Sequence, residues 1–141
     1  MSKFEILTKY LPQLMTDDFG NWIIDRENDG IPERPIHMPY VDYSNMVNAF
    51  IDDVYQFVDN NKDYELTRYY DILKENGLEW SEESMREVDV SLLGGQCVMA
   101  LIVGAVRAER FCDGALLTFF TDGSIRRWLE RLKEINEMHI V

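Results

Sequence analysis

With 141 residues, 46% of them hydrophobic, the chain can bury one core and is not a disordered polymer, while 26 Asp and Glu against 14 Lys and Arg leave a formal charge of −12 that disfavours a nucleic-acid partner. No apolar run reaches the ~18 residues a membrane helix needs, and no basic segment leads into an apolar one at the start, so neither insertion nor secretion is expected and the cytoplasm is the expected location. The acidity is uneven: residues 1–106 carry 8 basic and 20 acidic side chains, residues 107–141 carry 6 of each.

In chain order, Phe4, Leu7 and Leu11 form a short helical stripe, which Pro12 ends or restarts. Residues 16–43 hold three of the four prolines with Phe19, Trp22, Ile23, Ile36, Tyr40 and Val41, a composition that predicts an ordered irregular arm anchored on the helices. Met46, Val47, Phe50, Ile51, Val54, Tyr55 and Val58 recur at helical spacing and leave Asp52, Asp53 and Asp59 outside. Asp63 is placed to cap a following helix with the stripe Leu66, Tyr69, Tyr70 and Leu73, closed by Gly77. Ser81 begins a short helical turn whose acidic residues sit near its exposed amides.

The chain's core element is the uncharged stretch Cys97 to Val106, too short for a bilayer and too apolar for a water-facing helix. A central helix is predicted over 91–120, capped by Asp89 or Ser91 and roughly 40 Å long if unbroken from Gly94, with Gly114 as a bending point. Ala100, Gly104, Ala108 and Cys112 recur every fourth residue as a band of small side chains that invites a close helix crossing. Phe111, Ala115 and Phe119 fall on the side of that band. Both cysteines, Cys97 and Cys112, are expected as buried, reduced thiols. Asp122 and Gly123 mark a turn, and Ile125, Trp128, Leu129, Leu132 and Ile135 form a terminal helix over 124–137.

Candidate chemistry is sparse. His37 and His139 sit in the arm and the tail, and no zinc-ligand spacing exists. Asp25, Glu27, Asp29 and Gly30 match the first half of a calcium loop, but Ile36 stands at the twelfth position where a bidentate Glu is required, and Pro32 breaks the intervening stretch. No metal site and no cofactor is assigned. Gly94, Gly95, Gly104 and Gly114 form no phosphate-cradling pattern. Arg107, Glu109, Arg110 and Asp113 share one arc of the projected central helix and are the only catalytic candidates. That arc reads as a solvated rim in which at least one arginine reaches a carboxylate or helix-end carbonyls. Glu109 and Asp113 could instead share an ion with an acid from the arm, and Arg107, Arg110, Arg126 and Arg127 could together hold a small anion.

The segment Asp89 to Ile135 resembles a family of small bacterial proteins of unknown function. The resemblance rests on VRAERFCDGALLTFFTDGSI followed by RRWLERL, in which Arg107, Glu109, Arg110, Phe111, Asp113, Gly114, Gly123, Ile125, Trp128 and Leu129 fit the pattern. It extends through FGNW and PYVDY of the arm, and it implies a compact helical domain without implying a reaction.

The resulting expectation is a single all-α domain over 1–141, five or six helices around the central apolar one, with little or no β structure. The functional expectation is a non-enzymatic interaction or regulatory module that forms a two-fold homodimer. The alternative is a small-molecule-binding protein or hydrolase using the Arg107/Glu109/Arg110/Asp113 face.

Overall fold

Helices form along this chain where apolar residues recur at the helical period and where the end amides find partners. The computed structural model describes residues 3–15, 18–24 and 39–138. In order these contain helix α1 (Glu5–Thr8), a 3-10 turn (Leu11–Met15), strands β1 (Gly20–Ile23) and β2 (Tyr40–Tyr43), and helix α2 (Asn45–Asn60). Two 3-10 turns (Lys62–Tyr64 and Leu66–Arg68) lead to helices α3 (Tyr69–Glu75) and α4 (Glu82–Glu87). A 3-10 turn (Val90–Leu92) precedes helices α5 (Gly95–Ala108), α6 (Ala115–Thr121) and α7 (Ser124–Met138). The protein is therefore mostly α-helical, with one small antiparallel sheet.

All ten residues from Cys97 to Val106 are buried, as their unbroken apolar character demands. Helices α2, α3, α6 and α7 pack on α5, and α1 packs on both α2 and α7. The N-terminal contact is close: Phe4 stacks on Phe57 with centroids 5.7 Å apart, and a Cβ on Gly95 would lie 2.7 Å from the Phe4 Cζ. Trp128, fully buried, packs beside Phe119 at 5.5 Å. Each large side chain so buried contributes about 1.5–3 kcal/mol, so this aromatic and aliphatic core is the main source of stability.

Local capping follows the sequence closely at three places. The Ser44 Oγ accepts from the Val47 amide at the start of α2, and the Ser81 Oγ accepts from the Ser84 amide at the start of α4. After α3, Gly77 adopts φ +77°, its amide bonds to the Lys74 carbonyl and the Leu78 amide to that of Leu73, a Schellman closure.

Elsewhere tertiary contacts override the sequence reading. The predicted helix over 91–120 is not one helix: α5 ends at Ala108, and residues 109–114 form a turn before α6. Gly114 stands there at φ +90°, a left-handed conformation that a continuing helix excludes. With that helix divided, the described residues hold seven α-helices where five or six were expected. Neither Asp89 nor Ser91 caps α5; the Asp89 carboxylate holds the Ser91 amide within the preceding 3-10 turn, and Gly94 is the N-cap without a side-chain bond. Asp63 does not cap α3, because Glu65 at φ +52° separates two 3-10 turns ahead of it. The described part of the arm contains regular structure that its composition did not suggest, since β1 and β2 pair with Gly20 opposite Tyr43 and Ile23 opposite Tyr40. Phe19 anchors this hairpin in the core against Phe120, at 5.2 Å.

The small-residue band of α5 receives a side chain. The Trp80 indole N–H donates to the Gly104 carbonyl at 3.0 Å, and a Cβ on Gly104 would meet Trp80 Cδ1 and the Met85 methyl, each at 3.3 Å. Gly104→Leu should therefore lower stability by about 1–3 kcal/mol through overpacking. Gly94→Ala, whose Cβ would meet nothing within 4 Å, should change it by less than about 0.5 kcal/mol. Urea unfolding of both variants checks the pair.

Candidate interaction surface

The six residues between α5 and α6 carry every charged candidate except Arg107, and their geometry starts from an accounting of backbone amides. The amides of Gly114, Ala115, Leu116 and Leu117 precede the first hydrogen bond internal to α6, so each needs another acceptor. The Glu109 carboxylate takes two of them, accepting from Gly114 at 3.0 and 3.1 Å and from Leu116 at 3.0 Å. The Ala115 amide donates to the Cys112 carbonyl at 3.1 Å, and the Leu117 amide donates to the Tyr43 hydroxyl at 3.0 Å. Tyr43 in turn donates its proton to Glu109 at 2.7 Å. Burial and the adjacent carboxylate hold the Tyr43 phenol well above its ordinary pKa, which keeps it protonated as that donor.

The hairpin closes over this turn. A Cβ on Gly114 would run into the Trp22 ring and displace it, and φ +90° independently favours glycine at this position. Trp22, expected as a packing anchor, rests its ring edge on Gly114 while staying 46% exposed; the buried anchor of the arm is Phe19.

On the other side of the turn lies an aromatic strip. Trp80, pinned by Gly104, meets Tyr69, Tyr70 and Phe111 edge to face at 5.3, 6.5 and 5.6 Å. Phe111 is 77% exposed and Tyr70 54%. Beside Phe111 opens a cleft of about 250 Å³ lined by Trp80, Met85, Ala108, Cys112, Ala115 and Phe119, with Ser81 and Glu82 at its polar edge.

The four predicted site residues do not act together. Glu109 is occupied by amides and a phenol. Arg107 faces the Tyr55 and Tyr69 hydroxyls, whose contacts raise its pKa further above neutrality. Arg110 and Asp113 are exposed, and among the described residues neither takes part in an ion pair. The common arc read from the sequence required an unbroken helix, and the turn at 109–114 removes it. Phe111 leaves the small-residue side for solvent for the same reason. Cys112 is exposed rather than buried, whereas Cys97 is buried and its thiol pushed up to about 11 by desolvation. No group of three or more His, Cys, Asp or Glu suited to a metal ion occurs among the described residues. His37, His139 and the string from Asp25 to Gly30, with Pro32 and Ile36, lie outside those residues.

The arginines that do reach carbonyls are in α7. Arg131 donates to the Leu93 carbonyl at 3.0 Å, and Arg127 donates to the carbonyls of Val88 and Arg86. Arg126 pairs with Glu130 one turn along the same helix. The proposed four-arginine anion site is thereby replaced by separate duties. Only the placing of five of the nine arginines in residues 107–141 hinted at these contacts, because their partners are backbone groups that composition does not reveal.

An α-helical domain with a small hairpin, carrying a rigid turn and an aromatic strip, is the class that fold and surface define. The chain belongs to a family of unknown function, DUF6508, whose model matches residues 2–138. Among curated proteins and among solved structures, none matches at a significant level.

Glu109→Ala should destabilise the fold by about 2–3 kcal/mol, because charged acceptors are lost from amides that stay buried. Tyr43→Phe should cost about 1–2 kcal/mol, with a coupling of about 1 kcal/mol in the double variant. Arg110→Ala and Asp113→Ala should each stay within about 0.5 kcal/mol and show no coupling, as exposed side chains do. Chemical unfolding of the full set separates the two groups. Alkylation of the native protein at about pH 8, read by peptide mass spectrometry, should modify Cys112 and leave Cys97 unmodified until denaturant is added.

Proposed function

We propose that this protein is a non-enzymatic interaction or regulatory module, working in the cytoplasm as a homodimer. The observation that carries the reading is the aromatic strip in which exposed Phe111 and Tyr70 flank the half-buried Trp80 and Tyr69, beside a turn tied to α6 by the Glu109 and Tyr43 acceptors. Tyr, Trp and Phe are the side chains enriched at protein interfaces, and a rigid turn presents them with little ordering to be done on binding.

The charged candidates favour the same reading. A general base needs a free lone pair aimed at substrate, and the Glu109 oxygens accept instead from Gly114, Leu116 and Tyr43. The cleft beside the turn is lined by none of Arg107, Glu109, Arg110 and Asp113, so it does not present those groups to a ligand. The formal charge of −12 supports a protein partner over a nucleic acid. No helix among the described residues is long and apolar enough to cross a membrane. Two unpaired thiols suit a reducing compartment, and closed two-fold dimers are the commonest symmetric assembly.

Replacing Phe111 with a photo-crosslinking benzoylphenylalanine in cells that make the protein tests the reading. A defined protein adduct from position 111, absent when the probe is moved to Leu92, is the expected result. Leu92 is a suitable control because it is 83% exposed and lies outside the strip. Equal labelling at both positions would count against the module. So would a small-molecule thermal-shift response that disappears with Arg110→Ala or Asp113→Ala.

A further inference from the structure

We propose that the occupant of the cleft beside Phe111 is Phe111 of a second copy of this chain, inserted reciprocally about a two-fold axis through the turn at residues 109–114. The inference rests on the module reading and assigns it a surface and a partner.

Three features meet at this place. Phe111 stands 77% exposed as an apolar knob, and the Glu109 and Tyr43 bonds fix the turn that carries it. Phe111 itself forms one wall of a cleft of about 250 Å³ whose other walls include Trp80, Met85, Ala108, Ala115 and Phe119, and which is of a size to take one further aromatic ring. A two-fold contact is isologous, so a knob and a hole side by side on one surface satisfy each other twice.

Charge selects a second copy over an unrelated acidic or basic surface. Arg110 and Asp113 flank Phe111, are both exposed, and have no ion-pair partner among the described residues. Across a two-fold axis, Arg110 of each copy faces Asp113 of the other, which makes two complementary pairs from one sequence. At the cleft's edge Glu82 is paired with Arg86, which offsets its charge where the two copies would meet.

Charge exchange tests the arrangement on the full chain by sedimentation velocity, with circular dichroism to verify folding. The wild type should sediment as a dimer of the 16.6 kDa chain. Arg110→Asp and Asp113→Arg, each of which opposes like charges at the axis, should each weaken the dimer by about tenfold or more. The double exchange R110D/D113R should return to within about threefold of wild type. Phe111→Ser should leave a folded monomer. A wild type that stays monomeric at about 100 μM would overturn the proposal. Single exchanges without effect, or a double exchange as weak as the singles, would overturn it equally. A monomeric wild type that still forms a specific adduct with another protein at position 111 would remove the second copy alone and leave the module standing. Loss of both the dimer and any specific adduct would remove both.

Discussion

The Glu109 carboxylate is the interaction on which the arrangement depends. It stands at the end of α5 and accepts the amides that begin α6, so one side chain both stops a helix and starts the next. Its bond to Tyr43 ties that junction to the hairpin, and the Tyr43 oxygen supplies the last acceptor α6 needs. A carboxylate at a helix N-terminus is favoured by the exposed amides as well as by the local charge of the helix end. Its supporting bonds are charge-assisted, which makes them roughly twice as strong as neutral ones. Gly114 and Trp22 complete the junction sterically, since a Cβ at 114 would displace the indole from where it rests.

What the junction achieves is a division of the polypeptide into an interior and a display. On the inside, α5 is buried along ten consecutive residues and carries no charge there. On the outside, the chain reappears at 109–114 with Phe111, Cys112 and Asp113 in solvent and Trp80 beside them. An exposed phenylalanine alone is unremarked on protein surfaces, but one held on a turn tied down by Glu109 beside an apolar cleft is an arrangement suited to contact. Trp80 links the two regions, because its indole nitrogen binds α5 and its ring face supports the strip. The arginines of α7 secure the same neighbourhood from behind by holding the chain at Arg86, Val88 and Leu93.

The charged residues illustrate why residue type alone is a weak guide to chemistry. Arg, Glu and Asp within seven residues suggest an active face when projected on one helix. In the folded chain the acid is a cap, one arginine lies among tyrosines, and the remaining pair is solvated. Reactivity depends on which lone pairs and donors remain free, and that is settled by the backbone around them.

Features whose causes lie within a few residues were legible in the sequence. The period of Val47, Phe50 and Val54 marks α2, that of Ile125, Trp128, Leu129 and Leu132 marks α7, and the apolar run from Cys97 to Val106 marks the core. Ser81 and Gly77 terminate their helices by bonds to residues no more than five positions away. The break at 109–114 was not legible, because the helical period of small and apolar residues continues through it and only Gly114 signals a departure. The acceptors that make the break stable come from Glu109, five and seven residues from its donors, and from Tyr43, 74 residues from Leu117. Likewise the hairpin joins Gly20 to Tyr43 across the arm. Periodicity reports which face of a segment avoids water, whereas the ends of segments are decided by whichever acceptors the fold brings to their amides, and those arrive only when distant parts of the chain meet.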